Sequence, residues 1–145
     1  MSTTLKKDAV TEVLEKVVAE KGAEYVYPYF ETQCFYADPA DTTAPSCIVG
    51  HVVAALDPHA FQEIAAHEVD SGESMSVAQL SGDSYVGFED QRLADALQAA
   101  QSVQDGGSPW AEAMEAYRRV LAGEEAYKVA EEISDRRYER QHPEG

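Results

Sequence analysis

The 145-residue sequence is short of cations in its middle, of cysteine and of long apolar runs, and it has no asparagine at all. Without Asn there is no N-glycosylation. No stretch approaches the roughly 20 apolar residues that a membrane span requires, and no charged-then-apolar secretory leader is visible. The sequence therefore reads as a cytoplasmic protein. Its two cysteines, Cys34 and Cys47, flank a Pro-rich loop and are expected to be reduced in that compartment rather than bridged.

The usual marks of catalysis are missing too. Neither a G-x-G-x-x-G loop nor a Walker sequence is present to cradle phosphate. His67-Glu68 begins like a zinc-protease helix, but position 71 is Ser. Gly72-Glu73-Ser74-Met75-Ser76 approaches a nucleophile elbow and lacks its final Gly. Asp38 and Asp41 share a loop without forming an EF-hand pattern. Paired carboxylates such as Glu89-Asp90 are too common for any pair to stand out as an acid–base couple. The expectation is a protein that is not an enzyme and needs no cofactor.

What the sequence does have is lopsided charge. Acids number 27 against 11 bases, for a net charge of -16. Residues 1–21 balance, with four Lys and four acids, and residues 118–145 carry a net -1. Residues 22–117 hold sixteen acids and one base, Arg92, and from Gly22 to Gln91 there is no Lys or Arg. Such a stretch repels nucleic acid backbones and anionic membranes and attracts basic proteins. It reads either as a solvated face that aids solubility or as a recognition surface. The balanced ends argue against the uniform acidification of a salt-loving host.

At 44% apolar, the chain can bury one core, and its length suits one domain over 1–145. Helical spacing of apolar residues predicts a helix over 4–21 stopped by Gly22, and others over 46–56, from Pro58, 89–104, 109–122 and 124–139. Ser46 is the expected cap of the second, Asp57-Pro58 starts the third, and Ser108-Pro109 starts the fifth. The aromatic run 25–30 and Cys34-Phe35-Tyr36 predict two short strands, with Pro28 confining the first to an edge. Residues 37–46 read as a turn-rich loop, Tyr85–Phe88 as a short strand and 139–145 as a polar, flexible tail. The sum is an α+β, mainly α fold: one compact helical domain with a short β-hairpin or small sheet.

Two local features carry chemistry. In Cys47-Ile48-Val49-Gly50-His51 the thiol and imidazole stand four residues apart on one helix face, the geometry of two metal ligands or of a thiolate beside a base. Against this, Cys is among the most buried residue types, a Gly on a helix suggests close packing, and zinc wants four ligands. In the aromatic run, alternation puts Tyr25, Tyr27 and Tyr29 on one face, either open as an interface or packed as core.

Ser46-Cys47-Ile48-Val49-Gly50-His51-Val52-Val53 behind its Tyr-rich segment, together with Ala100–Trp110 and Glu112-Ala113, resembles small proteins of actinobacteriophages and their actinobacterial hosts. The resemblance covers roughly residues 25–116. It brings no activity with it and implies only a setting, a bacterial cytoplasm or a phage infection. The expectation is a non-enzymatic acidic protein that binds a basic partner, in its strongest form a DNA mimic acting on a nucleic-acid-binding host or defence protein. It would bind neither nucleic acid nor membrane directly. The expected contact residues are Glu31, Asp38, Asp41, Asp70, Glu73, Asp83, Glu89 and Asp90, with Tyr27 and Tyr29. The alternatives are a thiol- or metal-dependent site at Cys47 and His51, or a structural or assembly homo-oligomer such as a homodimer.

Overall fold

Seven amphipathic segments fold as helices around a shared apolar interior in the computed structural model, which describes residues 3–28 and 35–143. In chain order the elements are β1 (Thr3–Leu5), α1 (Lys7–Lys21), β2 (Ala37–Asp38), β3 (Asp41–Pro45), α2 (Ile48–Leu56), α3 (Pro58–Ser71), α4 (Val77–Gly82), β4 (Val86–Phe88), α5 (Gln91–Asp105), α6 (Trp110–Leu121) and α7 (Ala126–Gln141). The fold is mainly α with two small sheets, as the sequence pattern implies. β1 and β4 pair in parallel, Thr3 opposite Val86, and β2 and β3 form an antiparallel hairpin. α5 packs most extensively on α6, α7 covers that pair, and α1, α2 and α3 complete the other side. Trp110, Tyr27, Tyr36, Tyr117, Leu14 and Ile64 are among the largest side chains sealed inside.

Several boundaries differ from the sequence reading. Residues 3–5 form a strand rather than the start of α1, and Leu5 is still buried. Residues 23–28 are not a strand, because their backbone has another use: the carbonyls of Tyr25 and Ala23 accept from the amides of Trp110 and Ala111 and so close the N-terminus of α6. The rest of that aromatic run, 29–34, lies outside the described residues. The hairpin falls in the segment expected to be a loop. Asp38 and Asp41 each accept from an amide two residues on, which sets the turn, and Thr42-Thr43 supplies strand-compatible residues beside it.

The caps also move by one residue. Cys47, not Ser46, caps α2, its sulfur accepting from the Gly50 amide at 3.3 Å. Pro109 precedes α6 while Ser108 is buried and accepts from Arg137. Asp57 caps α3 with Pro58 at its first position, as expected.

Candidate functional site

Three arginines of α6 and α7 are neutralised by carboxylates of the same two helices and the turn between them. Arg119 reaches Glu115, Glu124 and Glu132 at 2.6–3.2 Å, Arg136 pairs with Glu115 and Arg140 with Glu112, all on α6, α7 and the turn between them. Glu115 and Glu124 are held below the ordinary carboxylate range by these guanidinium groups. Arg118 turns to Glu15 on α1 and Lys7 to Asp90. The acids of the hairpin and of α3 have no such neighbours. The α6–α7 side carries a ladder of Arg–carboxylate pairs, whereas among the described residues Glu63 on α3 meets only His59, at 3.3 Å, and the hairpin acids accept only from their own turn.

The side formed by α3 and the hairpin holds a groove. α3 presents Phe61, Gln62, Ala66 and Val69 to one side and the hairpin presents Thr42 and Thr43 to the other, enclosing about 480 Å³ with Asp70 at one end. An adjoining pocket of about 180 Å³ lies under the hairpin, lined by Phe35, Ala37, Pro39, Glu68, Val69 and Gly72. The two share Thr42, Ala65 and Val69. Val69 is 65% exposed, unusual for an aliphatic residue on an otherwise amphipathic helix.

Glu68 is the residue of this region that sequence reasoning missed. It is only 5% exposed, and its two carboxylate oxygens accept from the amides of Tyr36 and Ala37 at 2.9 and 3.1 Å, fastening the start of the hairpin to α3. Burial pushes its carboxyl above the usual range, with the two amide bonds and His67 pulling the other way. The signal was available: Glu68 follows Phe61, Ile64 and Ala65 at helical spacing, an acid on the apolar stripe.

The expected contact residues divide by location. Asp70 lines the groove, Asp38 and Asp41 stand in the hairpin next in sequence to the lining residues Pro39 and Thr42, and Glu73 follows Gly72. Asp41 is fully exposed and stays ionised through the bonds donated by the Thr43 hydroxyl and amide. Asp83, Glu89 and Asp90 belong to the α4–β4–α5 corner instead. There Glu89 accepts from the Lys7 amide and Asp90 from the Leu93 amide, so both cap helices. Glu31 and Tyr29 lie outside the described residues. Tyr27 is a correction: it is fully buried, bonded to Ser46 and to the Phe35 carbonyl, and presents nothing to a partner.

Cys47 and His51 do come together, but in a packing role. Cys47 is fully buried. His51 Nδ1 bonds the Cys47 carbonyl at 2.9 Å and its ring stands edge-on to Trp110. Burial holds the imidazole below the ordinary histidine range, so it is neutral at pH 7. Gly50 explains itself: a β-carbon there would sit within 2.2 Å of the Tyr36 carbonyl oxygen. No group of three His, Cys, Asp or Glu arranged to hold a metal occurs among the described residues. None of their helices is long and apolar enough to cross a membrane.

No family model, curated protein or solved structure matches this chain. Its functional reading rests on its own geometry.

Proposed function

We propose that the protein is a non-enzymatic binding protein whose acidic face engages a basic protein. Where that partner binds nucleic acid, the carboxylates stand in for phosphates and keep nucleic acid away. The observation that supports this reading is the segregation of charge. Arg119, Arg136 and Arg140 are neutralised within α6, α7 and the turn between them, while the hairpin and α3 carry carboxylates in a stretch with no Lys or Arg between Gly22 and Gln91. An unscreened field of this kind steers association and sets partner choice more than it adds raw affinity. The same net charge opposes self-association, which disfavours the homodimer. The resemblance to actinobacterial and phage proteins suggests where a partner would be sought.

The test is a pull-down from actinobacterial lysate washed at graded salt, followed by DNA competition on whatever is retained. The reading expects a basic protein that is held at about 50 mM salt, elutes by about 300 mM as the Debye length shortens, and cannot hold DNA and this protein together. A partner that is acidic, or retention indifferent to salt, sinks it.

A further inference from the structure

We propose that the pocket between the hairpin and the last turns of α3 receives the side chain of one arginine or lysine of the partner. Its methylene stem lies against Phe35, Pro39 and Val69, and its charge meets Glu68. This rests on the reading of an acidic face for a basic protein and names the chemistry that the face recognises.

The size of the pocket decides the first point. About 180 Å³ is well below the roughly 300–1,000 Å³ of small-molecule sites, and it suits a single side chain. Its walls decide the second. They are mostly apolar, which fits the stem of a long cationic residue, whose methylenes pack on apolar surface while the head seeks a charge. The third point is Glu68. A carboxyl group that is 5% exposed and already receives two backbone amides sits in poorly solvated surroundings, which disfavour its ionised form until a cation comes to it. No Lys or Arg among the described residues pairs with it, and His67 is the one basic group that acts on it. Burying such a charge without a counter-ion is costly, and a partner cation repays that cost. A leucine would fill the same space and leave Glu68 uncompensated; an acidic side chain would be repelled by Glu68 and Asp70 alike.

The adjoining groove gives the flanking residues somewhere to lie. From Pro58 to Asp70 it follows α3 for about 18 Å at the helical rise of 1.5 Å per residue. That length takes five or six residues of extended chain at about 3.3 Å each. With Asp70 in its wall, Asp41 next to the lining residue Thr42, and no Lys or Arg among its described lining residues, the occupant is a short basic stretch in extended form.

The experiment uses the full chain and a fluorescein-labelled six-residue peptide with capped ends and one central Arg. A second peptide carries citrulline there, of the same shape and without charge. Anisotropy at about 50 mM salt should show one-to-one binding, weakened on the order of tenfold by citrulline. Val69→Trp, which plugs the pocket at unchanged net charge, should weaken it by a similar factor, and Asp83→Asn in the other corner should leave it within about twofold. Glu68→Gln should also lose the preference for Arg over citrulline, with circular dichroism confirming that the variant folds. Val69→Trp answers the question if Glu68→Gln does not fold. Equal binding of the two peptides, indifference to Val69→Trp, or no binding of the Arg peptide overturns the pocket. If basic proteins then still bind with steep salt dependence, the acidic-face reading stands without the pocket; if they do not, both fall.

Discussion

At the scale of residues, the Ser46–Val53 segment shows how a motif can look reactive and serve packing. Gly50 is required because α2 lies directly on the backbone at Tyr36. Gly50→Ala is expected to cost about 3 kcal/mol, the upper end of the usual range for overpacking a core, measured as a shift of the urea midpoint. His51 makes a prediction about pH. Its folded-state affinity for protons is depressed, by burial first and by Lys21 in addition, with the Cys47 carbonyl opposing. The unfolded chain, titrating near 6.5, therefore binds more protons in the window just below that value. The His51 contribution to stability is complete above pH 6.5 and is lost as pH falls through the window. His51→Asn, which keeps a donor for the Cys47 carbonyl, should flatten this slope. The single tryptophan lies edge-on to the imidazole. Its fluorescence should be quenched as His51 protonates, with a midpoint below 6.5, and the variant should show no such transition.

At the scale of elements, the carboxylates are not equivalent. The N-cap of α1, Lys6, provides no side-chain cap, and the helix borrows one from Glu89 at the β4–α5 junction. Asp90 caps α5, and Asp57 caps α3; burial, the largest single influence on Asp57, pushes its carboxyl up, but the bonds from Thr3 and the Ala60 amide together with His59 draw it below the ordinary carboxylate range. Asp90→Ala and Asp57→Ala should each cost about 1 kcal/mol. Asp70→Ala and Glu73→Ala should stay within about 0.5 kcal/mol and instead weaken binding of basic partners. Urea denaturation of the four variants checks the division. Six of the seven described helices were legible in the sequence because each shows an apolar stripe of regular period, and Asp57-Pro58 spells its own start; α4, short and set in a Ser- and Gly-rich stretch, was not. The strands were less so. Tyr25-Val26-Tyr27 has every local preference for a strand, yet its carbonyls are taken by the first amides of α6, a tertiary demand that propensity cannot see. Residues 37–46, rich in Asp and Pro, hide a hairpin that Glu68 anchors from 31 and 32 residues away.

At the scale of the whole molecule, a net charge of -16 on 145 residues sets the solution behaviour. Self-repulsion opposes the compact state, and salt relieves it. Raising salt from about 20 to about 150 mM, which shortens the Debye length to about 8 Å, should raise the melting temperature even as it weakens binding to a basic partner. A melting temperature that falls over this range would mean that the α6–α7 ion pairs contribute more than the repulsion costs. The charge asymmetry could be read from the sequence by counting. Its organisation could not, since only the fold brings Arg119, Arg136 and Arg140 against Glu112, Glu115, Glu124 and Glu132 and leaves α3 and the hairpin outside that network. The burial of Glu68 was legible from its place on the apolar stripe, but its role was not: that depends on the Tyr36 and Ala37 amides, which no local pattern places beside it.

The parallel pairing of β1 with β4 has a consequence for biosynthesis. Lys7 waits for Glu89 across 82 residues of chain, and β1 waits for a strand in the same neighbourhood. At translation rates of roughly 5–20 residues per second, the nascent N-terminal segment spends several seconds with Leu5 uncovered and its first helix uncapped. A ribosome stalled before β4 therefore displays a sticky, incompletely closed chain, a natural point for chaperone capture.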